Sequence, residues 1–290
     1  MGKKITQLAT ITEIADDDLL VGVDISDTSG SAEGTNKKFT KANLLSGLAP
    51  LNPQLTGWNP DTETWAYHSV DDPTGYIKIE DKDVSANYSV GWRIMFTNGG
   101  NVIKGIITAI TFTDPDTIIT FLHEIGPTDN QALYLLTNSA ITENYFSPHK
   151  APLGFPMSPV KWSQTKTHTM QNYSVTNPTS WQSMGTVISL TIPIGVWNVS
   201  YWALIYAEKA SGNIEAYSTL STTTSSETNT DFTCCSIGMT TLTGGWHTKS
   251  GVLSPSSKTT YYLIGKSSGT SIGILSNYGK CVIKATCAYL

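Results

Sequence analysis

From Trp162 to Leu290 the sequence is a succession of short runs rich in β-branched and aromatic residues, each closed by Ser, Thr or Gly. The clearest runs are 186–192 (TVISLTI), 197–206 (WNVSYWALIY), 214–220 (IEAYSTL), 259–264 (TTYYLI) and 282–290 (VIKATCAYL). Many short strands with regular turn signals specify a β-sandwich or jelly roll. In the last run Cys281, Ile283, Ala285, Cys287 and Tyr289 alternate with Val282, Lys284, Thr286, Ala288 and Leu290, so this end of the chain is expected to be locked into a sheet.

The middle of the chain carries the same signature. Two prolines in Ala49-Pro50-Leu51-Asn52-Pro53 hold an extended linker. Beyond it, residues 88–96 lead through Asn98-Gly99-Gly100 into a strand beginning at Val102, and Asn-Gly between β-rich runs is the strongest short hairpin signal. A second hairpin spans Ile103 to Leu122 around Thr113-Asp114-Pro115-Asp116, with Ile106, Ile110, Ile118 and Phe121 available for burial. A compact barrel or sandwich is expected. A chain of 290 residues holds more than one small core, and the divisions fall at 1–48, 49–150 and 151–290.

Residues 1–48 are different. Two short strands, around 16–24 and 37–39, flank the turn-forming stretch 26–36, and Thr40 is placed to cap a short helix carrying Leu44 and Leu45. The apolar residues here, Leu8, Leu19, Leu20, Val21, Phe39, Leu44 and Leu45, are too few for an independent core. This segment is expected to dock on something larger or on copies of itself.

Composition excludes several functions. Charged residues make up 14% of the chain, so stability must come from packing rather than ion pairs. The net charge of −5 is uneven, with 19 acids against 10 bases in residues 1–150 and 4 against 8 in 151–290. Arg93 is the sole arginine and the C-terminal lysines are scattered, which argues against a nucleic-acid partner. No run approaches a membrane-spanning length, and Met1-Gly2-Lys3-Lys4 leads into a polar stretch unlike a signal peptide, so neither membrane insertion nor export is expected. Cys234 and Cys235 are adjacent, and Cys281 and Cys287 would lie about 20 Å apart along one strand. All four are expected to be reduced, and Cys281 and Cys287 to serve as small core residues.

Catalytic and metal motifs fail on inspection. Asp81, Asp83 and Ser85 have the alternating spacing of a calcium loop, but Ala86 stands where glycine is needed and Trp92 where the bidentate glutamate belongs. A solvated loop is expected there. The acids of the C-terminal region are Glu208, Glu215, Glu227 and Asp231, and His168 and His247 lack ligand spacing, so no enzyme, metal or cofactor is expected. Trp58, Trp65, Tyr67 and Trp92 could stack on saccharide rings. Core packing is the stronger claim on them, because half-buried sheets recruit aromatics for packing alone. Further contacts are sought in loops around Ser211-Gly212, 221–230 and Gly244-Gly245-Trp246-His247, with ordinary exposed loops as the competing reading.

The opening K-I-T-x-L (4–8), the acidic D-D-L-L (17–20) and the K-K-x-T-x-A-N-L close (37–44) together resemble the N-terminal segments of tailed-phage fibre and minor virion proteins. The middle stretch and its junction Pro152-Leu153-Gly154-Phe155-Pro156 are similar to phage and prophage virion proteins. The G-x-W-x-V-x-Y-x-A run (195–203) and the V-I-x-A-x-C-A-Y-L ending resemble knobs of the C1q and tumour-necrosis-factor type. The resemblance implies an all-β, homotrimeric, non-enzymatic virion protein. Its N-terminal segment would attach to other virion proteins, and its exposed knob would contact a host-surface glycan or protein, with Trp246 and His247 among the contacts. A head fibre, collar or capsid-decoration subunit is the alternative, and a glycan-depolymerising tailspike a third.

Overall fold

Gly99 and Gly100 both adopt positive φ, at 56° and 81°, which is the backbone a tight two-residue hairpin requires and which glycine takes without strain. They join two strands of the computed structural model, which describes residues 19–24, 35–40, 56–127, 130–168, 173–176, 178–184, 188–238, 242–274 and 280–290. Strand dominates these residues, interrupted by short 3-10 turns at Ser85–Asn87, Pro159–Trp162 and Thr230–Phe232. The protein is all-β, built from antiparallel sheets.

The chain divides into two units, 1–59 and 60–290. In the first, β1 (Leu19–Asp24) pairs with β2 (Thr35–Thr40), Leu20 opposite Phe39 and Val21 opposite Lys38. The expected pair of strands is present. Leu8, Leu44, Leu45 and the Thr40-capped helix lie outside the described residues.

In residues 59–147 a seven-stranded sheet runs in the order β3-β9-β6-β7-β8-β5-β4. Its strands are β3 (Asn59–Pro60), β4 (Ala66–Asp71), β5 (Thr74–Ile79), β6 (Arg93–Asn98), β7 (Asn101–Thr113), β8 (Asp116–His123) and β9 (Ile141–Ser147). Trp65 precedes β4, yet its ring lies 5.8 Å from Phe96 on β6, four strands away. A flat sheet would hold them about 19 Å apart at normal strand spacing. The sheet therefore curls over its own core, which gathers Ile77, Ile79, Ile94, Phe96, Ile107, Ile119 and Phe121.

Phe121 fills the centre of that core because glycine stands on either side of it. A Cβ at Gly75 would lie 2.5 Å from Phe121 Cζ, and one at Gly105 2.5 Å from Phe121 Cδ2 and 3.0 Å from the Leu122 carbonyl oxygen. Gly105→Ala should destabilise the protein by about 1–3 kcal/mol, the usual cost of overpacking, read as a lower urea midpoint at unchanged slope.

Residues 163–287 form two further sheets. One has the order β10-β20-β14-β19-β11, with β17 on the free side of β14, and the other the order β12-β18-β15-β16, with β13 also on β18. The first is built from β10 (Ser163–His168), β11 (Tyr173–Thr176), β14 (Trp197–Glu208), β17 (Leu242–Leu253), β19 (Ser271–Ile274) and β20 (Cys281–Cys287). The second comprises β12 (Gln182–Ser183), β13 (Ser189–Ile192), β15 (Ile214–Ser221), β16 (Cys234–Gly238) and β18 (Thr259–Ser267). Strict alternation along β14 buries Trp197, Val199, Tyr201, Ala203, Ile205 and Ala207. Ile214, Ala216 and Leu220 of β15 and Leu263 and Ile264 of β18 complete the sandwich core. Cys281 and Cys287 are buried there as expected, and burial pushes both thiols up, to about 12 and about 11. Cys234 and Cys235 lie on β16, half-buried and exposed.

Arg93 ties the curled sheet to the sandwich. Its side chain is fully buried and donates from Nε to Lys150 O (3.0 Å), from Nη1 to Gly91 O (2.6 Å) and from Nη2 to Tyr289 O (3.0 Å). Its guanidinium also lies 5.1 Å from the ring centre of Phe155, and that ring stacks on Trp162.

Candidate functional site

The structure separates the aromatic candidates by burial. Trp58 is fully buried. Trp65 is 2% exposed, and its indole N–H is directed to Asp61 Oδ2 at 3.1 Å, an oxygen that also accepts from Tyr88 OH at 2.5 Å. Tyr67 packs against the sheet core, and Trp92 stacks on Phe146 with centroids 5.5 Å apart. Trp58 and Trp65 thus present no face to a saccharide, and Tyr67 and Trp92 are largely spent on packing.

Residues 244–247 are not a loop. They belong to β17, which pairs with β14 over twelve residues, from Trp197 opposite Leu253 to Glu208 opposite Leu242. The run T-G-G-W-H-T-K-S-G looks turn-like because its glycines lack side chains. A Cβ on Gly244 would come within 3.3 Å of the Ile205 carbonyl, so glycine here fits close strand packing.

His247 is consequently an inward residue, 1% exposed, and makes no surface contact. Its Nδ1 is 2.7 Å from Ser218 Oγ and its Nε2 3.0 Å from Ser236 Oγ. Ser218 also meets Tyr201 OH at 3.0 Å, and that hydroxyl reaches Phe232 O at the same distance. Burial holds the imidazole well below its ordinary range, to about 4, so it is neutral at physiological pH. The group resembles a serine–histidine pair in composition, but Ser218 is wholly buried. Its role is to satisfy polar atoms between the two sheets.

Trp246 turns outward on the same strand, 54% exposed. Leu204 is its partner on β14, and Thr248 is the partner of Trp202, which places the two indoles diagonally on one sheet face. Trp202 is 37% exposed. Neighbouring rows set Ser200 between Ser250 and Lys284 and Asn198 between Val252 and Thr286, giving a hydroxylated surface that carries Lys284 beside the two tryptophans. The sequence already contained the signal for Trp202. Alternation that buries Trp197, Val199 and Tyr201 must turn Asn198, Ser200 and Trp202 out.

Among the described residues no cluster of three potential metal ligands occurs. Asp83 Oδ1 accepts from both the N–H and the hydroxyl of Ser85, at 3.1 and 2.7 Å, which accounts for the loop at 81–85 as a local turn.

These sheets and this surface define an all-β protein whose C-terminal part is an antiparallel sandwich with an uncovered aromatic face. The sequence matches no protein-family model and no curated protein. Among solved structures, a chain of the T13 IBDV viral particle is similar at 10% identity, over 85% of this chain and 76% of that one, with a TM-score of 0.30. The infectious bursal disease virus VP2 subviral particle aligns at 12% identity over 84% and 77%, with a TM-score of 0.27. Scores at this level do not establish a shared topology.

Proposed function

We propose that this chain is a non-enzymatic structural subunit of a virus particle, of the tailed-phage fibre type. Residues 1–48 attach it to other virion proteins, and residues 151–290 form a homotrimeric knob that contacts the host surface. The motifs at 4–8, 17–20, 37–44 and 152–156 support the virion reading. The observation that carries the contact is the outward pair Trp202 and Trp246 on a hydroxylated sheet face, since exposed indoles are what recognition surfaces enrich. Several acids of the sandwich are engaged locally: Glu208 accepts from Ser271, Glu215 from Tyr217 and Glu227 from Thr233. That supports a binding role over hydrolysis.

The soluble full-length chain should compete with particles for host cells. Trp202→Ala with Trp246→Ala should abolish competition while the chain stays folded, as its circular dichroism and urea transition would show. A chain that neither binds cells nor competes would remove the adhesin reading. Light scattering should return three times the 31.3 kDa chain mass, and a monomer at micromolar concentration would exclude the trimer. A purely structural head-fibre, collar or decoration role is favoured by one feature: Ile237 and Val252 are also exposed, at 68% and 60%, as surfaces covered by neighbouring subunits are.

A further inference from the structure

A cleft of about 640 Å³ lies where the seven-stranded sheet meets Ile194, before β14, and the 256–258 loop between β17 and β18. Two contacts hold its sides. Thr108 is the extra residue of a bulge in β7, where the register to β8 shifts between Ile107 and Ala109. It packs against Gly195, where a Cβ would lie 3.2 Å from Thr108 Cβ, and the Gly195 N–H is bound to Pro255 O at 3.2 Å. Elsewhere on the rim Lys258 pairs with Asp71 and donates to the Asp72 carbonyl at 3.3 Å.

The lining follows from strand register. Tyr76 on β5 stands opposite Thr120 on β8, which faces Ala109 on β7. The next rows set Ile118 beside Thr111 and Asp116 beside Thr113. A second bulge, in β4, makes His68 its extra residue and brings its ring within 6.4 Å of Tyr76. Bulges re-aim side chains in this way at the rims of sites. The cleft thus offers an aromatic ring, a row of threonine hydroxyls and the carboxylates of Asp114 and Asp116 at one end.

A pyranose presents an apolar C–H face and a rim of hydroxyls, and each finds its complement here. The volume lies within the range of small-molecule sites. Charge narrows the class further, because Asp71, Asp114 and Asp116 outnumber Lys258 and repel phosphate, sulfate and uronate groups. We propose that this cleft binds a neutral oligosaccharide, stacked on Tyr76 and hydrogen-bonded by Thr111, Thr113 and the carboxylates of Asp114 and Asp116. The site is separate from the Trp202 and Trp246 face, and its assignment does not depend on virion membership.

Saturation-transfer NMR on the full chain tests this with maltohexaose, mannohexaose, galactohexaose and N-acetylchitohexaose, beside hexagalacturonate and hexalysine. At least one neutral hexasaccharide should receive saturation, and hexagalacturonate should not. Tyr76→Ala should weaken binding about tenfold, the worth of one aromatic stack. Thr111→Val, which exchanges one exposed hydroxyl for a methyl without disturbing the strand, should weaken it about threefold. Val102→Ala, at an exposed position outside the cleft lining, should change nothing. No transfer to any neutral sugar, preference for hexagalacturonate, or binding of hexalysine in place of sugars would overturn the assignment. So would binding that survives Thr111→Val unchanged but is lost in Trp246→Ala, which would place the sugar on the tryptophan face.

Discussion

Replacing Arg93 with methionine should cost about 3–5 kcal/mol of stability, because a hydrogen bond from a charged donor is worth about 1.5–3 kcal/mol and three are lost, partly replaced by water. Methionine fills much of the volume but donates nothing. The part-buried carbonyls of Gly91, Lys150 and Tyr289 would each lose a charge-assisted bond. Arg93→Lys should recover only part of the loss, because a single ammonium cannot reproduce a planar fork aimed at three oxygens. Urea denaturation reads the total. Amide exchange localises it: Ala288, whose N–H bonds Val196 O at 2.9 Å beside the Tyr289 contact, should exchange faster in Arg93→Met. An unchanged midpoint would mean that Arg93 does not tie the curled sheet to the sandwich.

The second large effect is a loss of stability in acid, between about pH 6.5 and pH 4. His123 is buried with its ring 4.6 Å from Phe121. Its Nε2 accepts the Leu136 N–H at 3.1 Å, so the proton sits on Nδ1, which donates to Pro73 O at 2.9 Å. A second proton would break the Leu136 bond. Burial drives the group from 6.5 to about 4, and burial does the same to His247. For a base held low in the folded state, the unfolded chain binds more protons across this window. Stability is therefore full above the unfolded value, falls as pH drops from 6.5 toward 4, and levels below it. The shift at His123 alone corresponds to about 3 kcal/mol. Urea midpoints measured from pH 8 to pH 4 should hold flat and then decline below about 6.5. A flat profile down to pH 5 would contradict the neutral, buried assignment of both histidines.

Much of the fold was legible because alternation is a local property. Trp197–Glu208, Ile214–Ser221 and the Asn98-Gly99-Gly100 hairpin all follow from periodicity and turn chemistry. β17 was not legible. Its glycines, threonines and serines read as a turn, and only a twelve-residue partner in β14 makes them a strand. That single error also misplaced His247, whose side of the sheet is fixed once Trp246 is known to face out. Trp58 and Trp65 were ambiguous for another reason: an indole suited to stacking on sugar is equally suited to a core, and burial alone decides between them. The oligosaccharide cleft could not be read at all. Its parts come from five segments, between His68 and Lys258, and two of its features depend on bulges that leave no mark in a single sequence.

Carriage of this chain on a virus particle, with its sandwich exposed, can be read by immunogold electron microscopy. Antibodies raised against the folded full-length chain, affinity-selected for surface residues of β14 and β17, would be applied to intact particles produced from the genome that encodes it. Gold should lie at a fixed position on each particle and be lost when residues 1–48 are deleted. Particles that carry no label, and no peptide of this chain by mass spectrometry, would contradict that carriage.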